Sequence, residues 1–267
     1  LECGMKMLNF IDRPYGRSRI ASIVLSPSTY LVLLLSLSAP SSKSQELDTY
    51  SINYMAKAGI AAAYAKRSLS KIAENSYQLL NTLNVALAGK SVTEIKEKSE
   101  VVLSPDQKLI PNSYSKEQLG LRNTLEHITY NWDQSIAIVS NTDQSAQINL
   151  KKGTYDQLSH QIVMRKNFIL GIEEFSYSVI DRSRIEKYRY SILGQETIST
   201  PLGDFLSTKI ERTQPDKDNR SIVFWLSTEW AGVLLRMNQV INGGIGLTLE
   251  IQDGFVNGKP ITSKKEF

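Results

Sequence analysis

The chain has 267 residues, 41% of them hydrophobic and 22% charged, which is typical of globular proteins and not of disordered or membrane-embedded ones. A single cysteine excludes a disulfide framework and multi-cysteine zinc or iron–sulfur sites, and two histidines leave little room for a histidine-rich metal centre. The net charge of +4 and the pI near 9.0 raise the question of nucleic-acid binding, which depends on where the basic residues lie.

The first 44 residues follow the order of a secretory signal peptide. Basic residues up to Arg19 come first, an apolar stretch from Ile20 to Ala39 follows, and small polar residues end at Ser44. We predict that a signal peptide over 1–44 is cleaved near Ser44–Gln45, with Met5 or Met7 as the initiator and residues 1–4 as an upstream extension. The remaining residues 45–267 then form a single β-rich domain in the periplasm.

A retained membrane anchor is the alternative, because Ile20–Ala39 is about long enough to cross a bilayer. Pro27 and the serines weaken this stretch as a spanning helix, so we favour cleavage. An uncleaved anchor would attach the domain to the inner membrane, facing the periplasm. Both interpretations place the domain outside the cytoplasm.

Removal of the leader changes the charge argument. The leader contains the cysteine, five basic residues and two acidic residues, so the rest of the chain has a net charge of about +1. Nucleic-acid binding needs a concentrated basic face. The adjacent basic pairs are instead scattered along the chain, at Lys66–Arg67, Lys151–Lys152, Arg165–Lys166 and Lys264–Lys265. We therefore expect no nucleic-acid partner.

Apolar residues alternate with polar ones in much of the chain, which is the pattern of strands with one buried face. The longest run extends from Tyr77 to Leu87. Similar alternation appears at Tyr50–Tyr54, Phe175–Val179, Tyr188–Ile192, Ile222–Leu226, Val233–Met237 and Ile245–Ile251. Turn signals separate many of these runs, at Ala88–Lys90, Pro105–Asp106, Lys152–Gly153, Asp181–Ser183, Leu193–Gly194, Pro201–Gly203, Pro215–Asn219 and Asn242–Gly244. The pattern predicts a mainly β protein whose large antiparallel sheet curves into an open barrel or clam.

Two segments need separate treatment. Thr154–Leu170 has helical spacing of its apolar residues, Thr154 and Gln157 fit a capping box, and Gly171 is a stop signal. We predict an amphipathic helix over about 154–170, packed on the sheet. The alanine-rich stretch Ala58–Ala65 fits a helix by propensity, but it lies between strand-like runs, so we favour a small-residue strand facing a close neighbour.

The candidate catalytic residues do not form a convincing constellation. Ser159 precedes His160 directly, and adjacent residues on a helix point to different faces, so they are not a catalytic dyad. Asp156 can pair with His160 along the helix, and we interpret this pair as a surface carboxylate–imidazole contact. His127 lies in a strand-like stretch and is interpreted as structural or exposed. Asp216–Asn219 lacks the glycine and distal glutamate of a calcium loop, so we interpret it as a solvated hairpin tip.

No phosphate-binding loop, nucleophile elbow or zinc-protease motif occurs, and nothing indicates that Glu173, Glu174 and Glu196 converge. We therefore predict no catalytic, cofactor-binding or metal-binding residues, and no cofactor. The aromatic side chains could line an apolar pocket, but such residues more often fill the core or pair across strands. The candidates for pocket or core lining are Tyr188, Tyr190, Phe205 and Trp225.

Several stretches together resemble a known but uncharacterised family. They are Gly153–Arg165, Lys187–Phe205 and Arg220–Leu226, with weaker similarity at Leu109–Tyr114 and Ile128–Asp133. The chain is similar, over roughly Tyr50–Ile251, to the bacterial exported domain-of-unknown-function family 3108. The resemblance implies a periplasmic, mostly antiparallel β protein with its sheet bent toward a barrel and with no established activity. Trp230–Arg236 departs from the family pattern, which usually has a proline before the last strand.

Three functional hypotheses follow. The first is a non-enzymatic periplasmic protein that binds or carries an apolar or amphipathic cell-envelope molecule, such as a lipid, inside the curved sheet. The second is a structural or scaffolding protein that binds an envelope protein partner. The third and least favoured is an envelope hydrolase that uses His127 or His160.

Overall fold

The apolar alternation builds one large antiparallel sheet with a single helix. The structure is a computed structural model, and it describes residues 46–58, 60–213, 220–241 and 244–263. All of them belong to one compact unit. The predicted signal peptide over 1–44, its cleavage site, the Asp216–Asn219 loop and the tip of the Asn242–Gly244 turn lie outside the described residues.

Among the described residues, the first half of the chain forms eight strands, and the second half forms one helix and eight strands. The first half contains β1 (Tyr50–Ala58), β2 (Ala61–Ala73), β3 (Ser76–Leu87), β4 (Lys90–Leu103), β5 (Leu109–Gly120), β6 (Thr124–Asn131), β7 (Ile136–Asn141) and β8 (Ser145–Asn149). The second half contains β9 (Thr154–Tyr155), α1 (Ser159–Ile169), β10 (Glu174–Asp181), β11 (Arg184–Thr200), β12 (Gly203–Thr213), β13 (Arg220–Ser227), β14 (Leu234–Ile241), β15 (Gly244–Val256) and β16 (Lys259–Pro260).

Two meanders form the sheet. Strands β1 to β8 pair in chain order, and so do β10 to β15. The two meanders join where β1 pairs antiparallel with β15, from Tyr50 opposite Val256 to Met55 opposite Glu250. Strand β9 pairs in parallel with β10, and β8 and β9 are the two edges, so the 16-stranded sheet is not closed. The predicted mainly β fold with a large open sheet is therefore confirmed.

The predicted turn signals that fall on described residues lie between strands, with one exception. Ala88 and Gly89 have φ of 49° and 78° between the paired residues Leu87 and Lys90, which is the two-residue turn that suits the strand twist. The turn predicted at Leu193–Gly194 is wrong. Strand β11 continues through it as a bulge, because Gly194, at φ 135°, accommodates an extra residue against β12 without reversing the chain.

The predicted helix exists but begins later than expected. Thr154 and Tyr155 form the short strand β9, and the helix begins at Ser159. The capping box predicted from Thr154 is wrong. Asp156 Oδ1 instead accepts hydrogen bonds from the backbone N–H groups of Leu158 and Ser159, at 2.9 and 2.8 Å. The predicted stop is confirmed, since Gly171 takes φ 73° and donates its N–H to Phe168.

Curvature of the sheet brings its two edges around the helix. One core cluster contains Leu79 on β3, Ile148 on the edge strand β8, Ile162 on the helix and Ile180 on β10. Strands β8 and β10 lie near opposite ends of the strand order, so their side chains share a core only because the sheet bends. The helix therefore lies on the concave face.

Gly120 offers a test of the β5–β6 connection. It has φ 112°, and a Cβ atom there would lie 2.2 Å from the carbonyl oxygen of Val92. We expect Gly120→Ala to lower the free energy of unfolding by about 2 kcal/mol or more, because backbone strain and the steric clash add. Gly89→Ala is the control, since its φ is also positive but no atom lies within 4 Å. Urea unfolding measures the stability of both variants. If Gly120→Ala and Gly89→Ala lower the free energy of unfolding equally, the contact between position 120 and the Val92 carbonyl does not determine the effect.

Candidate functional site

The concave face contains an apolar cavity bordered by strands from both meanders. Inward-facing residues of β1, β2 and β3 form one wall, and residues of β13, β14 and β15 form the other. Its volume is about 400 Å³. The apolar lining includes Tyr54, Ala56, Ala61, Ala62, Ala63, Ala65, Leu83, Val85, Ile222, Phe224, Leu234, Met237, Leu247 and Leu249.

Small side chains on β2 create this space. Ala61, Ala63 and Ala65 alternate along the strand and all line the cavity, where larger residues would fill it. The alanine-rich stretch predicted to be a strand is a strand from Ala61 onward, after the end of β1 at Ala58. The close neighbour predicted to face these alanines is wrong, because they border the cavity. Their small size, which suggested close packing, is instead what leaves the space open.

Two arginines interrupt the apolar lining. Arg67 continues the inward-facing row of β2, and Arg212 lies on β12. An Nη atom of Arg67 donates a hydrogen bond to the side-chain oxygen of Gln161 on the helix, and the guanidinium of Arg212 lies 4.5 Å from the ring centre of Tyr188. The buried Nε atoms of both arginines have no hydrogen-bond partner. Within the described part of the chain, neither arginine forms a salt bridge.

A narrower recess continues from the cavity under the helix. It has a volume of about 60 Å³ and shares Arg67 and Arg212 with the cavity, together with four further residues. Arg165 of the helix and Tyr190 of β11 line only the recess. No aspartate or glutamate of the described residues lines either space. The junction of the cavity and the recess is therefore positively charged.

Comparison with known proteins identifies the family. The family described as "Protein of unknown function (DUF3108)" matches residues 49–252. The chain belongs to the DUF3108 family. The resemblance seen in the sequence is thereby confirmed. A comparison with curated proteins gave no significant match.

Solved structures support the fold of this DUF3108 chain. It is similar to the crystal structure of a beta-barrel-like protein of domain of unknown function DUF1849 from Brucella abortus, with a TM-score of 0.51 and 9% sequence identity. The similarity covers 81% of this chain and 97% of the Brucella chain. At this level of identity the comparison supports a shared barrel-like architecture and carries no statement about function.

His160 of the DUF3108 domain lies in the core, with 1% of its surface exposed. Its Nδ1 is 3.0 Å from the carbonyl oxygen of Asp156, and its Nε2 is 2.8 Å from the hydroxyl of Tyr190. A carbonyl only accepts, so Nδ1 carries the proton and Nε2 accepts from Tyr190. Burial, together with the charges of Arg212 and Arg67, lowers the pKa of His160 to about 3, although the hydrogen bond with the Asp156 backbone opposes this change. The imidazole is therefore neutral at pH 7.

Asp156 is also buried, so the surface pair predicted for Asp156 and His160 is wrong. Besides the two N–H groups of the helix start, its carboxylate accepts hydrogen bonds from the hydroxyls of Ser159 at 2.8 Å and Ser99 at 3.0 Å. Burial raises the pKa of Asp156, and these hydrogen bonds oppose that change. Ser159 thus donates to a carboxylate and not to His160, in agreement with the absence of a dyad.

The four aromatic candidates are all buried, but they lie in two different places. Tyr188 and Tyr190 belong to a cluster with Met164 of the helix, and Tyr190 lines the recess. Phe205 and Trp225 belong to another cluster and do not line the cavity or the recess. Trp225 follows Phe224, which lines the cavity, so strand alternation turns Trp225 to the opposite face.

The remaining predicted groups do not come together. His127 lies on β6 and is exposed, as expected. Glu196 on β11 accepts a hydrogen bond from Trp225 Nε1 at 2.6 Å and lies 3.4 Å from Lys209. The described residues contain no group of three or more metal-binding side chains and no helix long and apolar enough to cross a membrane. The residues that sequence reasoning missed are Arg67, Gln161 and Arg212.

The buried histidine predicts a pH dependence of stability. The folded state holds the pKa of His160 near 3, whereas an unfolded histidine titrates near 6.5, so the unfolded state binds more protons between these values. The contribution of neutral His160 to the free energy of unfolding is therefore fully present above about pH 6.5. It is lost as the pH falls, by up to about 1.4 kcal/mol per pH unit.

We expect His160→Gln to be less stable than the wild type at pH 7, with a difference that shrinks toward pH 4. His127→Gln is the matched control for the loss of a histidine, because His127 is exposed, and it should change the stability at pH 7 little. Urea unfolding across this pH range measures both. A constant difference for His160→Gln would contradict the assignment of a neutral, buried imidazole.

Proposed function

We propose that this protein is an exported, non-enzymatic binder or carrier of an apolar or amphipathic cell-envelope molecule in the periplasm. The observation that carries the proposal is the open apolar cavity on the concave face. Ligand sites are commonly concave, mostly apolar spaces of several hundred Å³ with a few polar groups. The cavity has these properties, with Arg67, Arg212, Gln161 and Asn81 as its polar groups.

The physical driving force for such binding is the transfer of apolar surface out of water. Each buried methylene group contributes about 0.8 kcal/mol, so a chain of ten carbons in the cavity offsets the loss of its freedom of movement. The signal-peptide pattern of residues 1–44 supports export, which would place the cavity among envelope lipids. The non-enzymatic part of the proposal is supported by His160, whose ring nitrogens are bound to Asp156 and Tyr190 and not to a serine.

Filling the cavity tests this proposal. The neutral fluorophore N-phenyl-1-naphthylamine should bind the wild-type protein, with emission that rises as it leaves water. We expect Ala61→Phe and Ala63→Phe to weaken this binding at least tenfold, because each added ring occupies the space above β2. The lipid extract of protein purified from the periplasm, analysed by mass spectrometry, should contain a co-purifying apolar molecule.

Ser70→Phe is the matched control, because Ser70 lies on the same strand but is exposed outside the cavity. It should bind the fluorophore like the wild type, and the urea midpoints of all three variants show whether each is folded. No binding by the wild type, or equal binding by folded Ala61→Phe and Ala63→Phe, would contradict the proposal.

A protein partner is the second candidate function, favoured by exposed apolar side chains at one end of the sheet. Ile60 in the β1–β2 turn is 73% exposed, and Leu121 in the β5–β6 turn is 83% exposed. Backbone hydrogen bonds from Ala88 to Ile60 and from Leu121 to Val92 show that these turns lie side by side. A photo-crosslinking residue at position 121 should capture one specific envelope protein in cells, and the same residue at exposed position 170 should not.

A further inference from the structure

We infer that the cavity selects amphipathic molecules with an anionic head group, a carboxylate or a phosphate, bound between Arg67 and Arg212. This inference rests on the proposed function and adds the chemistry of the head group. The apolar cavity would hold the chain of such a ligand, and the junction with the recess would hold its charge.

The first argument is the charge balance at the junction. Three guanidinium groups, from Arg67, Arg165 and Arg212, line the recess, and no carboxylate of the described residues lines it. A guanidinium next to apolar surface is costly unless a counter-ion or hydrogen bonds compensate it. An anionic ligand supplies that counter-ion in the geometry that guanidinium groups favour, with paired hydrogen bonds to two oxygens.

The second argument separates the two arginines from Arg165. The helical Arg165 has a structural role, because its Nε donates to the carbonyl of Ala231 at 2.6 Å and an Nη donates to that of Asp48 at 2.9 Å. Arg67 and Arg212 have no such backbone anchors among the described residues, although Arg165, like them, keeps one buried guanidinium nitrogen without an acceptor. The guanidinium groups of these two arginines are therefore the ones available to an added anion.

The third argument is their placement across the fold. Arg67 is on β2 and Arg212 is on β12, and four strands separate these in the sheet. Curvature brings them to one junction, where both line the cavity and the recess and both lower the pKa of the same histidine, His160. Cations that face one space from two walls can bind one head group from two sides.

The fourth argument is the apolar character of the adjoining space. Beyond the arginines the cavity walls are formed by Leu83, Val85, Phe224, Met237 and Leu249. These residues offer no partner for a second charged group. The arrangement therefore fits a ligand with one anionic end and one apolar chain, and it disfavours a ligand that is polar throughout.

Competition with the bound N-phenyl-1-naphthylamine tests the inference. Dodecanol, dodecanoate and dodecyl phosphate have the same chain and differ in head group, and each is used below the concentration at which it forms micelles. We expect the anionic ligands to displace the fluorophore from the wild type at concentrations at least tenfold lower than dodecanol. The tighter of the two anionic ligands identifies the preferred head group.

The variants Arg67→Gln and Arg212→Gln should each reduce this preference for anionic ligands about tenfold or more, which is the usual effect of losing a charge-assisted hydrogen bond. The concentration of dodecanol needed to displace the fluorophore should not change. Arg189→Gln is the matched control, because Arg189 is exposed next to Tyr190 on β11 and its loss removes the same charge. A second pair of variants, Arg67→Lys and Arg212→Lys, is used if a glutamine variant fails to fold. Lysine keeps the positive charge but lacks the planar guanidinium group, so these variants should lose part of the preference for anionic ligands.

The outcomes distinguish the two proposals. Equal displacement by dodecanol and the anionic ligands, or a preference that survives in the variants of both arginines, overturns the anionic head group and leaves the apolar binder intact. A preference lost equally in Arg189→Gln also overturns it, because general surface charge then explains the effect. Failure of the wild type to bind the fluorophore and all three ligands overturns the proposed function itself.

Discussion

The antiparallel pairing of β1 with β15 is the contact on which the rest of the sheet depends. Each meander pairs its own strands through short local turns, but this pairing joins residues near the two ends of the described chain, such as Tyr50 and Val256. Without it, each meander would expose a further strand edge and half of a curved face. With it, inward-facing residues of both meanders border one concave space. The cavity lies between the two meanders, and neither meander could form it alone.

A polar network in the core positions the helix within that space. Asp156 starts the helix with its side chain and also accepts hydrogen bonds from Ser99 on β4 and Ser159 on the helix. His160 connects the same turn to Tyr190 on β11. Buried polar groups are tolerated because their hydrogen bonds are satisfied, and satisfied networks favour one arrangement over others. The network therefore ties the helix to both meanders and places Gln161 beside Arg67.

Many of the strands and turns could be predicted because their causes are local. Alternation from Tyr77 to Leu87 required a strand with one buried face, and Ala88–Gly89 required a tight turn. The turn expected at Leu193–Gly194 was wrong, because glycine permits both a reversal and a bulge, and pairing with β12 decides between them. The helix start was misplaced because Asp156 could be recognised as its cap only after Thr154 and Tyr155 had paired beside β10.

The sequence by itself determined the periodicity of the strands, the alanine row of β2 and the near-neutral charge of residues 45–267. These properties depend on neighbouring residues and on composition, so they need no knowledge of the fold. Only the tertiary structure decided that Arg67 and Arg212 lie at one junction, that Trp225 faces away from the cavity, and that Asp156 and His160 are buried. The physical reason is that curvature of the sheet and the β1–β15 pairing bring together residues that are distant in sequence. Local sequence patterns do not show which distant residues will meet.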